Sequence, residues 1–176
     1  VSIGIPTRGR PQGLARTLRD LCAQTWPNLE IIVSDNCTPG PQVDMLMRRL
    51  MREDPRIRYC RQPENLGIFG NFQFVLAQAR GEFFMWAADD DEWEPTFVER
   101  CMALAGERGS VMCGFRTHLR ATGELLDNPI PDLDPQRDCH GNVARFFATM
   151  QPSLFYGLHR RAEIGFVLED RFFDFY

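Results

Sequence analysis

The chain has 176 residues, of which 44% are hydrophobic and 25% charged, with a formal net charge of −4. Its 20 basic residues are all Arg; without Lys, a Walker-type phosphate loop, a Schiff-base enzyme and a pyridoxal-phosphate enzyme are excluded. An anion must then be met by Arg, backbone N–H groups, helix N-termini or a metal, and the net acidic balance argues against nucleic acid as the main partner.

In chain order, residues 1–6 predict a short apolar strand stopped by Pro6. Residues 12–24 predict a helix, with Pro11 at its start and Leu14, Leu18, Leu21 and Cys22 at helical spacing. Residues 29–33 are nearly all apolar, as in the interior of a parallel sheet, and a polar loop follows over 35–40. Val43, Leu46, Met47, Leu50 and Met51 mark a second helix. The alternation repeats with a strand over 56–61, a loop over 62–67 and a helix over 68–80 ending at Gly81. A fourth strand over 83–87 runs into Asp89, Asp90 and Asp91. Pro95 opens a helix reaching about residue 107, and 110–118 predict a fifth strand. Residues 127–139, rich in Pro and Asp, read as a long surface loop, 142–150 as a helix and 153–159 as one more strand.

This order predicts an α/β fold: a Rossmann-like, mostly parallel sheet flanked by helices on both faces, with right-handed crossovers. The length suits a single domain over 1–176. No apolar run reaches transmembrane length, and no signal peptide precedes Val1. Residues 171–176 read as an amphipathic helix cut short, so a fragment of a longer protein is expected. The six Cys, at 22, 37, 60, 101, 113 and 139, form no Cys-x-x-Cys pair and read as free thiols in a reducing cytoplasm.

Parallel α/β sheets bind ligands at the C-terminal ends of their strands. That edge would gather Thr7, Arg8, Asp35, Asn36, Asn65 and the Asp cluster. Three adjacent carboxylates raise one another's pKa unless a cation is present, and a hard divalent ion shared with phosphate oxygens would relieve them. The alternative is a solvated acidic turn capping the helix near Pro95. Asp35 either accepts hydrogen bonds from a ribose or base or organises the turn after it. Arg8 and Arg10, flanking Gly9, could meet a diphosphate by forked donation or form a solvated pair. Asn65-Leu66-Gly67 could be only a turn. Asp170, beside Glu169, could act as a general base or be part of an ordinary acidic pair, with Asp174 its competitor. His118, His140 and His159 show no metal spacing, and for His159 strand packing is the better reading. Gly67-Ile68-Phe69-Gly70 reads as a helix start.

Taken together these stretches resemble glycosyltransferase family 2 with the GT-A fold. The resemblance rests on an ordered set: Val1 to Arg8, Gln24 to Asn36, Glu64 to Gly67 with Asn71, Ala79 to Phe84, and Asp89 to Pro95. Beyond Pro95 it rests on Phe155 to Arg161 and the Glu169 and Asp170 pair. It implies a nucleotide-diphosphate-sugar donor, a saccharide or lipid-linked acceptor, and a divalent metal, Mn2+ or Mg2+. Residues 1–95 would be the donor-binding half and 96–176 the acceptor-side half. Pro6 and Thr7 would line the nucleotide pocket with Arg8, Asp35 would meet the base or ribose, and Asn65 would contact the nucleoside. The acidic cluster matches the family's Asp-x-Asp signature with one departure. Ala88 stands where the first Asp is usual, Asp89 would serve the ribose, and Asp90, with Asp91 beside it, would hold the metal. Asp170 would be the base of an inverting single displacement. Polysaccharide or glycoconjugate assembly in the cytoplasm, or at the inner face of a membrane, is the setting implied. The alternatives are a degenerate relative that binds nucleotide sugars without catalysis, and a sugar nucleotidyltransferase on the same sheet.

Overall fold

Alternating apolar strands and one-sided helices assemble into a six-stranded sheet in the computed structural model, which describes residues 1–106, 109–119, 121–129 and 156–168. The strands are β1 (Ser2–Thr7), β2 (Glu30–Asp35), β3 (Ile57–Arg61), β4 (Phe83–Trp86), β5 (Ser110–Val111), β6 (Phe115–Leu119), β7 (Glu124–Asn128) and β8 (Leu158–Arg160). The helices are α1 (Pro11–Cys22), α2 (Gln42–Glu53), α3 (Gly67–Ala77) and α4 (Phe97–Ala105). The main sheet runs β3-β2-β1-β4-β8-β5, and β6 and β7 form a separate two-stranded ribbon. Strands β1 to β4 are parallel, while β8 is antiparallel to both β4 and β5. The chain divides into two compact units, Met112–Gly157 and the remainder.

Strand side chains alternate between faces, and the core divides accordingly. Ile3, Ile5, Ile31, Val33 and Met85 join Leu14, Leu18 and Leu21 of α1, Val43 and Met47 of α2, and Val98 of α4 in one apolar cluster. The alternate residues of β1, β2 and β4 meet α3. A Cβ on Gly4 would lie 2.7 Å from both Phe84 and Val75, so β1 and α3 approach this closely only because residue 4 lacks a side chain. On the same face Ser34 donates to Asn71 Oδ1 (2.6 Å) and accepts from Gln62 Nε2 (2.9 Å), while Asn71 Nδ2 donates to the Ser34 carbonyl (3.1 Å). This buried polar set is satisfied internally, as burial demands.

Several expectations need correction. The strand expected over 110–118 is two strands: β5 ends at Val111, and β6 starts at Phe115 and pairs with β7 in the ribbon. Met112, Cys113 and Gly114 separate them. Asp127, expected in a surface loop, lies in β7. The third helix ends at Ala77, short of residue 80, because the Gln78 and Ala79 N–H groups bond back to Phe74 and Leu76 and close the turn. The fourth begins at Phe97, after Pro95. Of the strand expected over 153–159, Leu158 and His159 lie in β8, Tyr156 and Gly157 form a turn before it, and 153–155 lie outside the described residues. The expected helices over 142–150 and 171–176, most of the 127–139 loop, and Cys139 and His140 lie outside the described residues.

The C-terminus of α2 is tied to β3 by one fork. Arg56 donates to Asp54 through Nε (3.0 Å to Oδ1) and Nη2 (2.6 Å to Oδ2), and Nη2 also donates to the Cys22 carbonyl at the end of α1 (2.7 Å). The Arg56 fork holds the Asp54 carboxyl down at about 2, from an ordinary 3.8. A carboxyl lowered on folding stabilises above its unfolded pKa, and that stability is lost as pH falls through the folded value. Asp54→Asn should therefore destabilise the fold by about 1 kcal/mol at neutral pH. The difference from wild type should shrink between about pH 4 and pH 2, as read by urea melts across that window.

Candidate functional site

The loops that leave the C-terminal ends of β1, β2 and β4 carry the polar residues, and α1 holds the acidic loop in place. Thr7, the last residue of β1, donates its hydroxyl to Asp89 Oδ2 at 2.6 Å; the two are 3% and 6% exposed. Arg10, at the start of α1, donates Nη1 to Asp89 Oδ1 (3.2 Å) and to Asp90 Oδ2 (2.8 Å). Two helical turns on, Thr17 donates to the Asp91 carbonyl (2.8 Å). Between them Gly13 lets the loop pass: a Cβ there would sit 2.5 Å from the Asp89 carbonyl oxygen. The approach of α1 to the loop thus depends on a missing side chain as well as on hydrogen bonds.

The acidic cluster does not cap α4. That helix starts at Phe97, with Thr96 before it, and its first-turn acid is Glu99. Loss of solvent first, then the charges of Asp90 and Asp89, push the Asp91 carboxyl above its ordinary range. Three adjacent carboxylates, two of them on the one guanidinium of Arg10, leave the loop with excess negative charge, and oxygen-only donors of this kind suit a hard divalent cation. Among the described residues no group of three or more His, Cys, Asp and Glu side chains is gathered closely enough to hold a metal. The donor set therefore fits a cation held by one or two carboxylates and completed by substrate phosphates.

The second part of the site lies beyond β2. Asp35 is fully buried. Its Oδ1 accepts from the Thr38 N–H (3.0 Å), its Oδ2 accepts from the Tyr59 hydroxyl (3.3 Å), and Arg61 Nε stands 3.9 Å away. Burial, followed by the Asp35 charge, pushes the Tyr59 phenol up, so it stays protonated and donates. Of the two readings of Asp35, these contacts realise the turn. Cys37, at φ +56°, turns the chain, and Arg61 Nη2 donates to the Thr38 carbonyl (2.6 Å). Asn36 crosses to the next loop. Its Nδ2 donates to Asn65 Oδ1 (2.8 Å) and to the Gly67 carbonyl (2.9 Å), and its Oδ1 accepts from the Leu66 N–H (2.7 Å). Asn65 is thereby fixed at the entry to α3, which the Gly67 to Gly70 run opens.

Pro6, Thr7, Asp35, Asn65, Asp89, Asp90 and Asp91 thus share the strand-end edge with Arg8, which is exposed. Asp170 and Asp174 lie outside the described residues. His159 is buried in β8, with Nδ1 2.8 Å from Ser110 Oγ. The sequence reading missed the clamp of Thr38, Tyr59 and Arg61 around Asp35, and the grip of Asn36 on Asn65. Tyr59 and Arg61 are two apart on β3 and pair with Val33 and Asp35. The i, i+2 spacing was visible in the sequence, but the pairing that gave it meaning was not.

Comparison with known proteins adds a family. The model for glycosyl transferase family 2 matches residues 2–162. A Campylobacter jejuni protein, GalNAc(5)-diNAcBac-PP-undecaprenol beta-1,3-glucosyltransferase, is 34% identical over 108 residues, which cover 61% of this chain and 35% of that one. Residues 1–349 of Staphylococcus aureus TarS superpose with a TM-score of 0.71 at 19% identity, covering 93% of this chain and 48% of that one; the same protein has also been solved with UDP-GlcNAc. The Pyrobaculum calidifontis mannosyltransferase PcManGT, solved with GDP-Man and Mn2+, gives a TM-score of 0.65 at 14% identity over 93% of this chain and 45% of that one. The chain spans about half or less of the length of each.

Proposed function

The chain belongs to glycosyl transferase family 2 and has its GT-A fold, and on that premise we propose that it serves transfer of a sugar from a nucleotide-diphosphate donor to an acceptor hydroxyl, metal-dependent and with inversion. The observation that carries the donor half of this reading is the junction of Thr7 and Arg10 with Asp89 and Asp90 at the ends of β1 and β4. It places a hydroxyl, a guanidinium and oxygen donors for a cation together, where a parallel sheet binds phosphorylated ligands. The solved relatives hold UDP-GlcNAc in one case and GDP-Man with Mn2+ in another, which supports the same donor class here. The undecaprenol-linked substrate in the name of the C. jejuni relative supports a saccharide or lipid-linked acceptor, within polysaccharide or glycoconjugate assembly. No helix among the described residues is long and apolar enough to cross a membrane.

In this reading Pro6 and Thr7 line the nucleotide pocket and Asn65, held by Asn36, faces the nucleoside. Asp35 is buried beneath residues 37 and 38. In the geometry seen it accepts from the Thr38 N–H and the Tyr59 hydroxyl and so fixes the loop after β2; contact with a base or ribose would need that loop to shift. Asp89, locked by Thr7, is placed for the ribose. A divalent cation on Asp90 and Asp91 would supply positive charge to the departing nucleoside diphosphate. Asp170 takes the proton from the acceptor hydroxyl. The new bond joins that oxygen to the anomeric carbon as the carbon's bond to phosphate oxygen breaks, and attack opposite the leaving group inverts the centre.

Calorimetry with UDP-, dTDP- and GDP-sugars, each with and without Mn2+ or Mg2+, tests the reading. The expected result is binding of at least one nucleotide sugar that requires the metal. Metal-independent binding, or none, overturns it. A product assay on a protein that passes separates a catalyst from a non-catalytic relative in which Ala88 has cost turnover.

A further inference from the structure

We propose that Arg10 is an exchangeable counter-cation of the acidic cluster: it occupies Asp90 in the empty protein and moves to the diphosphate when the donor arrives, releasing Asp90 for the metal. This rests on the metal-dependent donor binding proposed above.

The two carboxylates that Arg10 touches are held very differently. Asp89 is 6% exposed and already locked through Oδ2 by the buried Thr7 hydroxyl. Asp90 is half exposed, with a side-chain exposure of 43%, and accepts from Arg10 Nη1 at 2.8 Å. Arg10 is itself 59% exposed along its side chain, so the pair is a solvent-facing ion pair of the kind that exchanges partners easily. Its chain position favours such movement, since Gly9 just before it adopts φ +73° and only the backbone of Arg10 is engaged in α1, through the Leu14 N–H. A guanidinium and a divalent cation on the one Asp90 carboxylate would stand within a few ångströms of each other, and their like charges repel. Arg10 therefore competes with the metal while the site holds no nucleotide. A diphosphate offers the guanidinium a more highly charged partner with the forked geometry it prefers. Once Arg10 turns to phosphate, the repulsion becomes a shared attraction to the same ligand. Metal and nucleotide should then bind with positive coupling, each raising the affinity for the other by the same factor.

The test is Mn2+ binding without turnover, followed by electron paramagnetic resonance of free Mn2+, in the presence and absence of UDP or whichever nucleoside diphosphate calorimetry selects. Wild type should bind Mn2+ weakly alone and about tenfold or more tightly with nucleotide. Arg10→Ala and Arg10→Gln should bind Mn2+ alone about fivefold more tightly than wild type, and the coupling should shrink correspondingly. Arg10→Lys, which keeps the charge, should stay near wild type. Thermal melts of the variants control for folding, and Arg10→Gln keeps much of the side chain's length if Arg10→Ala proves unstable. Unchanged or weaker Mn2+ affinity in folded Arg10→Gln without nucleotide overturns the exchange. A wild type that binds no Mn2+ even with nucleotide overturns the metal-dependent reading itself, and the exchange with it.

Discussion

Asp90→Ala is expected to abolish metal-dependent nucleotide binding and to lower transfer by about a thousandfold. Asp90 is exposed and held by a surface contact with Arg10, whereas Asp89 is tied to Thr7 and buried. The variant should fold, because the Asp90 carboxylate meets Arg10 at the surface and an exposed pair contributes little to stability. Calorimetry of the nucleotide with and without Mn2+, beside a transfer assay, gives both readouts. If the metal requirement survives, the cation is held elsewhere than on Asp90.

Asp170→Asn should produce the opposite pattern. Donor and metal binding should be unchanged, while kcat falls by about a thousandfold, the range expected for loss of a positioned general base. The amide keeps the side chain's size but cannot take the acceptor's proton at neutral pH. Single-turnover measurement at saturating donor separates the loss of chemistry from weakened binding. Transfer that persists in Asp170→Asn moves the base to Asp174.

These residues differ in how far the sequence could reveal them. Strands β1, β2 and β4 were legible because parallel strands buried on both faces are apolar in their middles. Ile3 to Ile5, Ile31 to Val33 and 83–86 carry no polar side chain except the indole N–H of Trp86. Leu14, Leu18 and Leu21 gave α1 its face, and all three are buried. The break at Met112 to Gly114 was not legible, because the apolar residues Val111, Met112 and Cys113 run through it without a polar or Pro interruption. Partner choice is a tertiary property. The same holds in the site. The acidic loop, Thr7 and Asn65 stood out through their positions after apolar strands. The grip of Arg10 on Asp90 spans eighty residues and depends on α1 running beside the loop from β4. Asp35 offered two chemistries from one position. The Thr38 N–H and the Tyr59 hydroxyl favour the local one in the empty protein, and no residue near Asp35 in sequence foretold Tyr59.

The pairing of β5 with β8 bears on how such a protein can diversify. Val111 pairs with Leu158, and Ser110 with His159, the latter pair also joined by a side-chain hydrogen bond of 2.8 Å. The chain therefore leaves the sheet and re-enters it at directly opposed residues, like a cable passing through a single grommet. With both ends fixed by that stem, doubling the length of the excursion adds only about 0.6 kcal/mol of closure entropy. The excursion, residues 112–157, forms a compact unit of its own, while Thr7, Arg10, Asp35 and the acidic loop all precede the stem in sequence. Insertions, deletions or wholesale replacement between 112 and 157 can thus accumulate without altering the strands that carry Thr7, Asp35 and the acidic loop.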